Sequence, residues 1–279
     1  MNIGIVGLGL IGGSLGLDLR AEGHRVLGVS RKAHTCERAI ARGIADQASV
    51  DPSLLQTADL IFVCTPLGVM EATIKELVPY LQADTVLTDV GSVKGWVVDA
   101  ITPLWPNFVG GHPMAGTAES GVEAAQPHLF VNAPYVLTPT STTPDWAVQR
   151  VEEVIRPLQT RLYYCQPEVH DRAVAWISHL PVMTSASLIA ACLQESDPAV
   201  LDLAQKLASS GFRDTSRVGG GNPELGVMMA RYNRGALLRS LYTYRQQLDR
   251  VIAQIEAEGW EGLEVDLQKT QQARPKFVE

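Results

Sequence analysis

Of the six histidines in this 279-residue chain, one stands in a setting that suits proton transfer. His112 lies in Gly110-Gly111-His112-Pro113-Met114-Ala115-Gly116, just after a short apolar run. An imidazole there has a proton affinity near neutrality and can take a hydroxyl proton as hydride leaves the same carbon. His24 and His34 read as surface residues, His128 has no evident context, and His170 and His179 open a helical region. His179, in Ser178-His179-Leu180-Pro181, either lines a site or packs in a core. A second pattern, Gly211-Phe212-Arg213-Asp214-Thr215-Ser216-Arg217, places two arginines four residues apart, on one face if the segment is helical. Such a pair suits a substrate with two carboxylates. The alternative is ion pairing with Asp214 or with a neighbouring helix.

The residues that could hold a hydride acceptor come first in the chain. Gly7-Leu8-Gly9-Leu10-Ile11-Gly12 follows the apolar run 3–6 and opens a helical pattern, the context a dinucleotide fingerprint requires. Gly7 permits the tight turn, Gly9 lets the backbone approach a pyrophosphate on the helix N-terminus, and Gly12 lets helix and sheet pack closely. The second apolar run ends Gly28-Val29-Ser30-Arg31-Lys32, with Thr35 close behind. No carboxylate is present there to bind a ribose 2′-hydroxyl, whereas a guanidinium can pair with a 2′-phosphate. The cofactor expected is NADP, with Ser30, Arg31 and Thr35 selecting it; the alternative is a solvated Arg-Lys pair at a loop tip. Later runs end at Val63-Cys64-Thr65-Pro66 and Thr88-Asp89-Val90-Gly91-Ser92-Val93-Lys94. Strand ends of this kind form the ligand crevice, so Cys64, Thr65, Pro66, Asp89, Gly91 and Met114 are expected along the cofactor and Ser92 near the nicotinamide. Asp89 or Ser92 could equally cap the helix that starts at Lys94.

These segments need a scaffold. Apolar runs at 3–6, 25–29, 60–64, 85–88, 108–110 and 135–137 alternate with helical stretches at 11–21, 33–42, 69–81, 94–101 and 145–160. That alternation predicts a parallel sheet covered on both faces. Beyond residue 165 the spacing is helical over 169–193, 198–209 and 223–258, with almost no strand pattern. The expected fold is α/β: an N-terminal Rossmann-like, doubly wound parallel sheet over 1–165, then an all-helical dimerisation and substrate domain over 166–279. The last helical stretch is long and apolar, which favours a homodimer.

The chain is 46% hydrophobic and 19% charged with a net charge of −7, the composition of a folded protein without a basic nucleic-acid surface. Its four cysteines (Cys36, Cys64, Cys165, Cys192) are widely spaced and read as reduced thiols. The N-terminus shows no leader pattern, and no stretch reads as a bilayer span, so a cytoplasmic protein with no membrane partner is expected. No metal is expected.

Taken together, the glycine fingerprint, the Asp89–Lys94 segment, the Gly110–Gly116 segment, Leu129-Phe130-Val131-Asn132-Ala133-Pro134-Tyr135-Val136-Leu137-Thr138-Pro139, Ser178-His179-Leu180-Pro181 and the Gly211–Arg217 segment resemble the prephenate/arogenate dehydrogenase family. They occur in family order and cover residues 2 to about 250. The resemblance implies oxidative decarboxylation of a cyclohexadienyl acid, with an active site between the two domains. It places His112 on the catalytic histidine that hydrogen-bonds the ring hydroxyl, Ser92 on its polar assistant and Arg217 on the arginine that grips the ring carboxylate. Where many prephenate-type members have a serine and a tryptophan after that arginine, this chain has Gly221 and Gly226. With the NADP signature, this favours arogenate over prephenate. Two rivals stand further off. A β-hydroxyacid dehydrogenase or imine reductase would use a lysine in the helical region, where only Lys206 lies between residues 166 and 268. A non-catalytic NADP-sensing dimer would not need His112 and the arginine pair.

Overall fold

The computed structural model describes residues 1–117 and 119–278. Eight strands form one sheet: β1 (Asn2–Val6), β2 (Arg25–Val29), β3 (Gln47–Ser49), β4 (Leu60–Val63), β5 (Val86–Asp89), β6 (Phe108–Pro113), β7 (Pro134–Thr138) and β8 (Arg161–Tyr164). Their order is β3-β2-β1-β4-β5-β6-β7-β8. Alternate residues of each central strand feed opposite cores, as the pleat requires. Ile3 and Ile5 of β1 join Leu60 and Phe62 of β4 on one face. Val6, Ile61 and Val63 lie in the other. Helices α1 (Leu10–Ala21) and α5 (Asp145–Ile155) cover the first face. Helices α3 (Leu67–Leu77) and α4 (Gly95–Ile101) cover the second. Helix α2 (Ala33–Ala41) follows β2.

Three departures from the expected sheet have physical causes. β7 runs antiparallel to β6, so the sheet is mixed. Between β6 and β7 the described residues carry a 3-10 turn but no crossover α-helix, and an antiparallel neighbour needs none. β3 is three residues of Gln47-Ala48-Ser49, too short and polar to register as an apolar run. β8 is an edge strand with exposed Tyr163 and Tyr164, so it lacks the buried run of a central strand.

After β8 come α6 (Pro167–Val174), a π-helical turn (Ala175–His179), α7 (Leu180–Cys192), α8 (Pro198–Leu207), α9 (Ser210–Ser216), a 3-10 turn (Arg217–Gly220), α10 (Pro223–Tyr232), α11 (Arg234–Glu256), α12 (Trp260–Ala273) and α13 (Pro275–Val278). The sequence predicts one helix over 169–193 and another over 223–258. The first contains a π turn just before Pro181, whose missing N–H disrupts the regular ladder. The second breaks at Asn233. The run Pro167–Cys192 is apolar and long enough, by length and composition, to cross a membrane, contrary to the expectation that no stretch reaches that threshold. It holds the buried polar residues His170, Asp171, His179 and Ser185, and Ser185 Oγ donates to the Thr215 carbonyl at 2.6 Å, which are features of a protein-packed helix.

The chain divides into two compact units, Met1–Arg234 and Gly235–Glu279. Within the second, Arg250 pairs with Asp266 at 2.6 Å and Gln254 donates to the same carboxylate at 3.1 Å, joining α11 to α12.

Candidate active site

The cofactor cleft begins where β1 ends. Gly7 adopts φ +99°, and a side chain there would press on the Cys64 carbonyl oxygen at 2.7 Å. A side chain at Gly12 would collide with the Gly7 carbonyl. At Gly9 the opposite holds, because nothing lies within 4 Å of where a Cβ would stand. Gly9 is also the residue that precedes α1, whose first turn carries no acid, so free N–H groups and a positive helix end face open space. A cleft of about 610 Å³ opens there, lined by Gly7, Leu8, Gly9, Ser30, Arg31, Thr35, Cys64, Thr65 and Pro66 among others. Thr65 Oγ1 is buried without a hydrogen-bond partner, as a residue awaiting a polar ligand would be. These features fit a bound dinucleotide. Lys32, Val50, Pro52, Glu76, Gly121 and Val122 also line the cleft and were not singled out from the sequence. Glu76 is the one acid among the lining residues, and it comes from α3 rather than from the end of β2.

The candidate proton acceptor lies on β6. His112 sits within that strand and is 8% exposed. Its Nδ1 lies 2.8 Å from Nε2 of His170, with the rings edge-on at 69°. Nδ1 of His170 lies 2.9 Å from the Asp171 carboxylate. That carboxylate also accepts from the backbone N–H groups of Lys94 at 2.7 Å and Gly95 at 2.8 Å, closing the N-terminus of α4. An ionised carboxylate only accepts, so with a single proton on His170 the direction of the chain follows. His170 donates from Nδ1 to Asp171, its Nε2 accepts from His112 Nδ1–H, and the lone pair of His112 is left on Nε2. Burial drives the pKa of His112 well below 6.5, reinforced by the neighbouring His170, Lys94 and His179, each of which disfavours a second positive charge there. The ring is neutral at pH 7 and able to accept a proton.

Below it lies a second polar knot. Lys94 and Asp89 are both fully buried and form an ion pair. Lys94 Nζ also donates to the Gly111 carbonyl at 2.6 Å, while Asp89 accepts from the N–H groups of Gly91 at 2.7 Å and Gly111 at 3.0 Å. Burial pushes the Lys94 ammonium down and Asp89 opposes it. The knot fixes β6 against the end of β5, one residue from His112.

Asp89 is therefore corrected: expected along the cofactor, it spends both oxygens on protein donors. Ser92 does not cap α4, because Asp171 does, and the Ser92 hydroxyl makes no hydrogen bond among the described residues. Gly91 packs against Leu67 and Asp89, where a Cβ would come within 2.7 and 2.9 Å of them. Leu10, Ile11 and Gly12 form the first turn of α1 and Met114 follows β6; none of the four lines the cleft. Arg213 and Arg217 are exposed on nearly continuous helical backbone, Arg213 in α9 and Arg217 opening the 3-10 turn. Arg213 makes a loose, exposed contact with Asp214 at 3.5 Å, so the salt-bridge alternative holds for it in weak form. The segment after Arg217 is held to α7 through Gly219, where a Cβ would clash with the backbone nitrogen of Ala186. A Cβ at Gly226 would make ordinary contact with the Met183 and Val182 side chains of α7, both at 3.9 Å.

His179 is fully buried, and burial lowers its pKa to about 4. His170, Asp171, Lys94 and Asn233 were missed as site residues. The adjacent His170-Asp171 pair at the start of a helix was the available signal, since an acid beside a histidine is a ready orienter for a second imidazole.

The comparisons agree with this architecture. A family model described as "Prephenate dehydrogenase, nucleotide-binding domain" matches residues 15–164. A second, "Prephenate dehydrogenase, dimerization domain", matches residues 166–269. The prephenate dehydrogenase of Bacillus subtilis is 31% identical over 266 residues, covering 93% of this chain and 71% of that protein. The crystal structure of Synechocystis arogenate dehydrogenase superposes with a TM-score of 0.91 at 55% identity, covering 100% of both chains. That of the A. aeolicus prephenate dehydrogenase, in complex with hydroxyphenyl propionate and NAD+, gives a TM-score of 0.93 at 28% identity, covering 99% and 98%. A nucleotide-binding α/β region followed by a helical region thus occurs here in the order of the two family domains, and the chain belongs to the prephenate dehydrogenase family.

Proposed function

We propose that this chain is an NADP-dependent arogenate dehydrogenase, a cytoplasmic homodimer that converts arogenate to tyrosine and CO2. The observation that carries the reading is the neutral His112, buried, oriented through His170 by Asp171, with Nε2 left as its acceptor. Nicotinamide bound in the cleft supplies the hydride acceptor. His112 Nε2 takes the C4-hydroxyl proton as hydride leaves C4, and Asp171, through His170, stabilises the imidazolium that forms. Ser92 hydrogen-bonds the same hydroxyl. Arg217 holds the ring carboxylate, which departs as CO2 while its bonding pair completes the aromatic ring. Arg213 helps to hold the anionic substrate.

Cofactor choice rests on Ser30, Arg31 and Thr35 lining the cleft with no carboxylate at the end of β2. A 2′-phosphate would there meet a guanidinium and hydroxyls rather than a repelling acid. Substrate choice rests on Gly221 and Gly226, which offer neither a side-chain donor nor a bulky wall, and on the 55% identity to an arogenate dehydrogenase. The ammonium of arogenate suits a wet, unwalled tail site, whereas the keto acid of prephenate would be better held by donors and a bulky wall. The second reading, prephenate or both acids as substrate, is favoured by the 31% identity to a prephenate dehydrogenase. The test is kcat/KM for arogenate and prephenate, each with NADP+ and NAD+. Arogenate with NADP+ should lead, by about tenfold or more over prephenate, a gap of about 1.4 kcal/mol in transition-state binding. Equal efficiency on both acids would make this a broad cyclohexadienyl dehydrogenase. A preference for prephenate would refute the argument from the glycines.

A further inference from the structure

His179 closes the π turn, and its Nδ1 lies 3.1 Å from Nδ2 of Asn233. The same amide nitrogen donates to the backbone carbonyl of Asp171 at 2.8 Å. A carbonyl only accepts, so it dictates which end of the Asn233 amide faces inward. One hydrogen of the NH2 group meets Asp171, and the other meets His179 Nδ1. The lone pair of His179 is thereby engaged, and its proton stands on Nε2. That Nε2 is buried with no hydrogen-bond partner, a condition that native interiors seldom tolerate unless a ligand or ordered water supplies the acceptor. Asn233 occupies the break between α10 and α11 and is itself 5% exposed. His179 is close enough to His112 for a charge on it to lower the proton affinity of that ring.

We propose that Asn233 is a positioning residue that locks His179 as an Nε2–H donor, set to hold an oxygen of the anionic substrate beside His112. Naming the substrate rests on the function proposed above; the lock itself does not. Held this way, His179 cannot compete with His112 for the hydroxyl proton, because its own lone pair is taken. The same asparagine ties the donor to the backbone of Asp171, the residue that anchors the relay.

The test uses the full-length protein. In the wild type with 15N-labelled histidine, assigned with a His179→Gln variant, His179 should be the Nε2–H tautomer at pH 7. Asn233→Asp keeps the shape but replaces the donor with an acceptor. The proton should move to Nδ1, and the titration of His179 should rise from its depressed position. The titratable and charged groups around this cluster are His112 on β6, His170 and Asp171 on α6, and Lys94 before α4. A second charge among them should reshape the acid limb of the pH–rate profile, lower kcat/KM by ~10-fold or more and leave NADP+ affinity within about twofold. An Nδ1–H tautomer in the wild type would overturn the proposal. So would a folded Asn233→Asp enzyme with an unchanged His179 signal and pH profile. If that variant does not fold, the wild-type spectrum decides. A failure of the substrate assignment would show as absent turnover with an intact tautomer signal.

Discussion

The cofactor edge and the proton relay are built on opposite plans. At the end of β2, Arg31 is exposed and Ser30 and Thr35 are half-buried on a loop and the first turn of a helix. At the end of β6, His112, His170, Asp171, Lys94 and Asp89 are all buried and bonded to one another or to backbone. On the function proposed above, the edge would select a ligand by the charges it shows to solvent, so its residues should be exchangeable at modest cost. The relay sets a proton's address inside a low-dielectric core, where an unpaired group is costly. Selection and chemistry should therefore fail separately, and unequally, when each is attacked.

The largest separation should come from His112→Asn, which keeps a polar side chain but removes the base. Turnover should fall by ~10²–10⁴ with NADP+ affinity little changed, measured as kcat beside a fluorescence titration of the cofactor. Asp171→Ala strikes the relay and the fold together. Removing the cap of α4 alone costs about 1–2 kcal/mol, and leaving His170 without its acceptor adds to it, so Tm should drop clearly and kcat with it. A variant of unchanged Tm would mean that Asp171 does not tie α6 to α4 as described.

On the selecting side, Arg217→Ala should raise KM for the acid substrate strongly while fold and NADP+ binding survive. Unfolding or loss of the dimer would instead assign the arginine to structure. The Ser30→Asp, Arg31→Ala double variant should lose about 1.5–3 kcal/mol of NADP+ binding, roughly ten- to a hundredfold, and gain on NAD+. Unchanged NADP+ affinity would remove Ser30 and Arg31 from cofactor choice.

The buried histidine beside the relay should also shape stability against pH. His179, with its pKa lowered to about 4, is held neutral in the folded state. The unfolded chain takes up the proton first, so stability is intact above about pH 6.5 and falls as the pH drops toward 4, by about 3 kcal/mol in all. Urea midpoints measured at pH 7 and pH 4.5 should differ in that direction, and His179→Gln should flatten the difference.

The contrast also explains what the sequence could reveal. Local chemistry was legible. Gly7, Gly9 and Gly12 announce a turn, an open approach and a close packing because glycine spacing encodes backbone geometry directly. Ser30 and Arg31 could be placed because they lie just beyond a recognisable strand. The partners of His112 are 58 residues distant in the chain, and nothing near His112 names His170. Asp89 was misplaced for the same reason, since its full satisfaction depends on Lys94 and Gly111 folding around it. β8 and the antiparallel direction of β7 were not legible either, because edge position and strand direction are settled by the connection and not by local periodicity.

A neutral, relay-held His112 is the proposed proton acceptor. The pH dependence of kcat/KM in wild type and His112→Asn, side by side, tests it most directly. With the His112 pKa depressed by burial, the wild-type acid limb should lie below pH 6.5, and the residual rate of the variant should show no such limb. An acid limb that persists unchanged in the variant would place the base elsewhere and contradict the account.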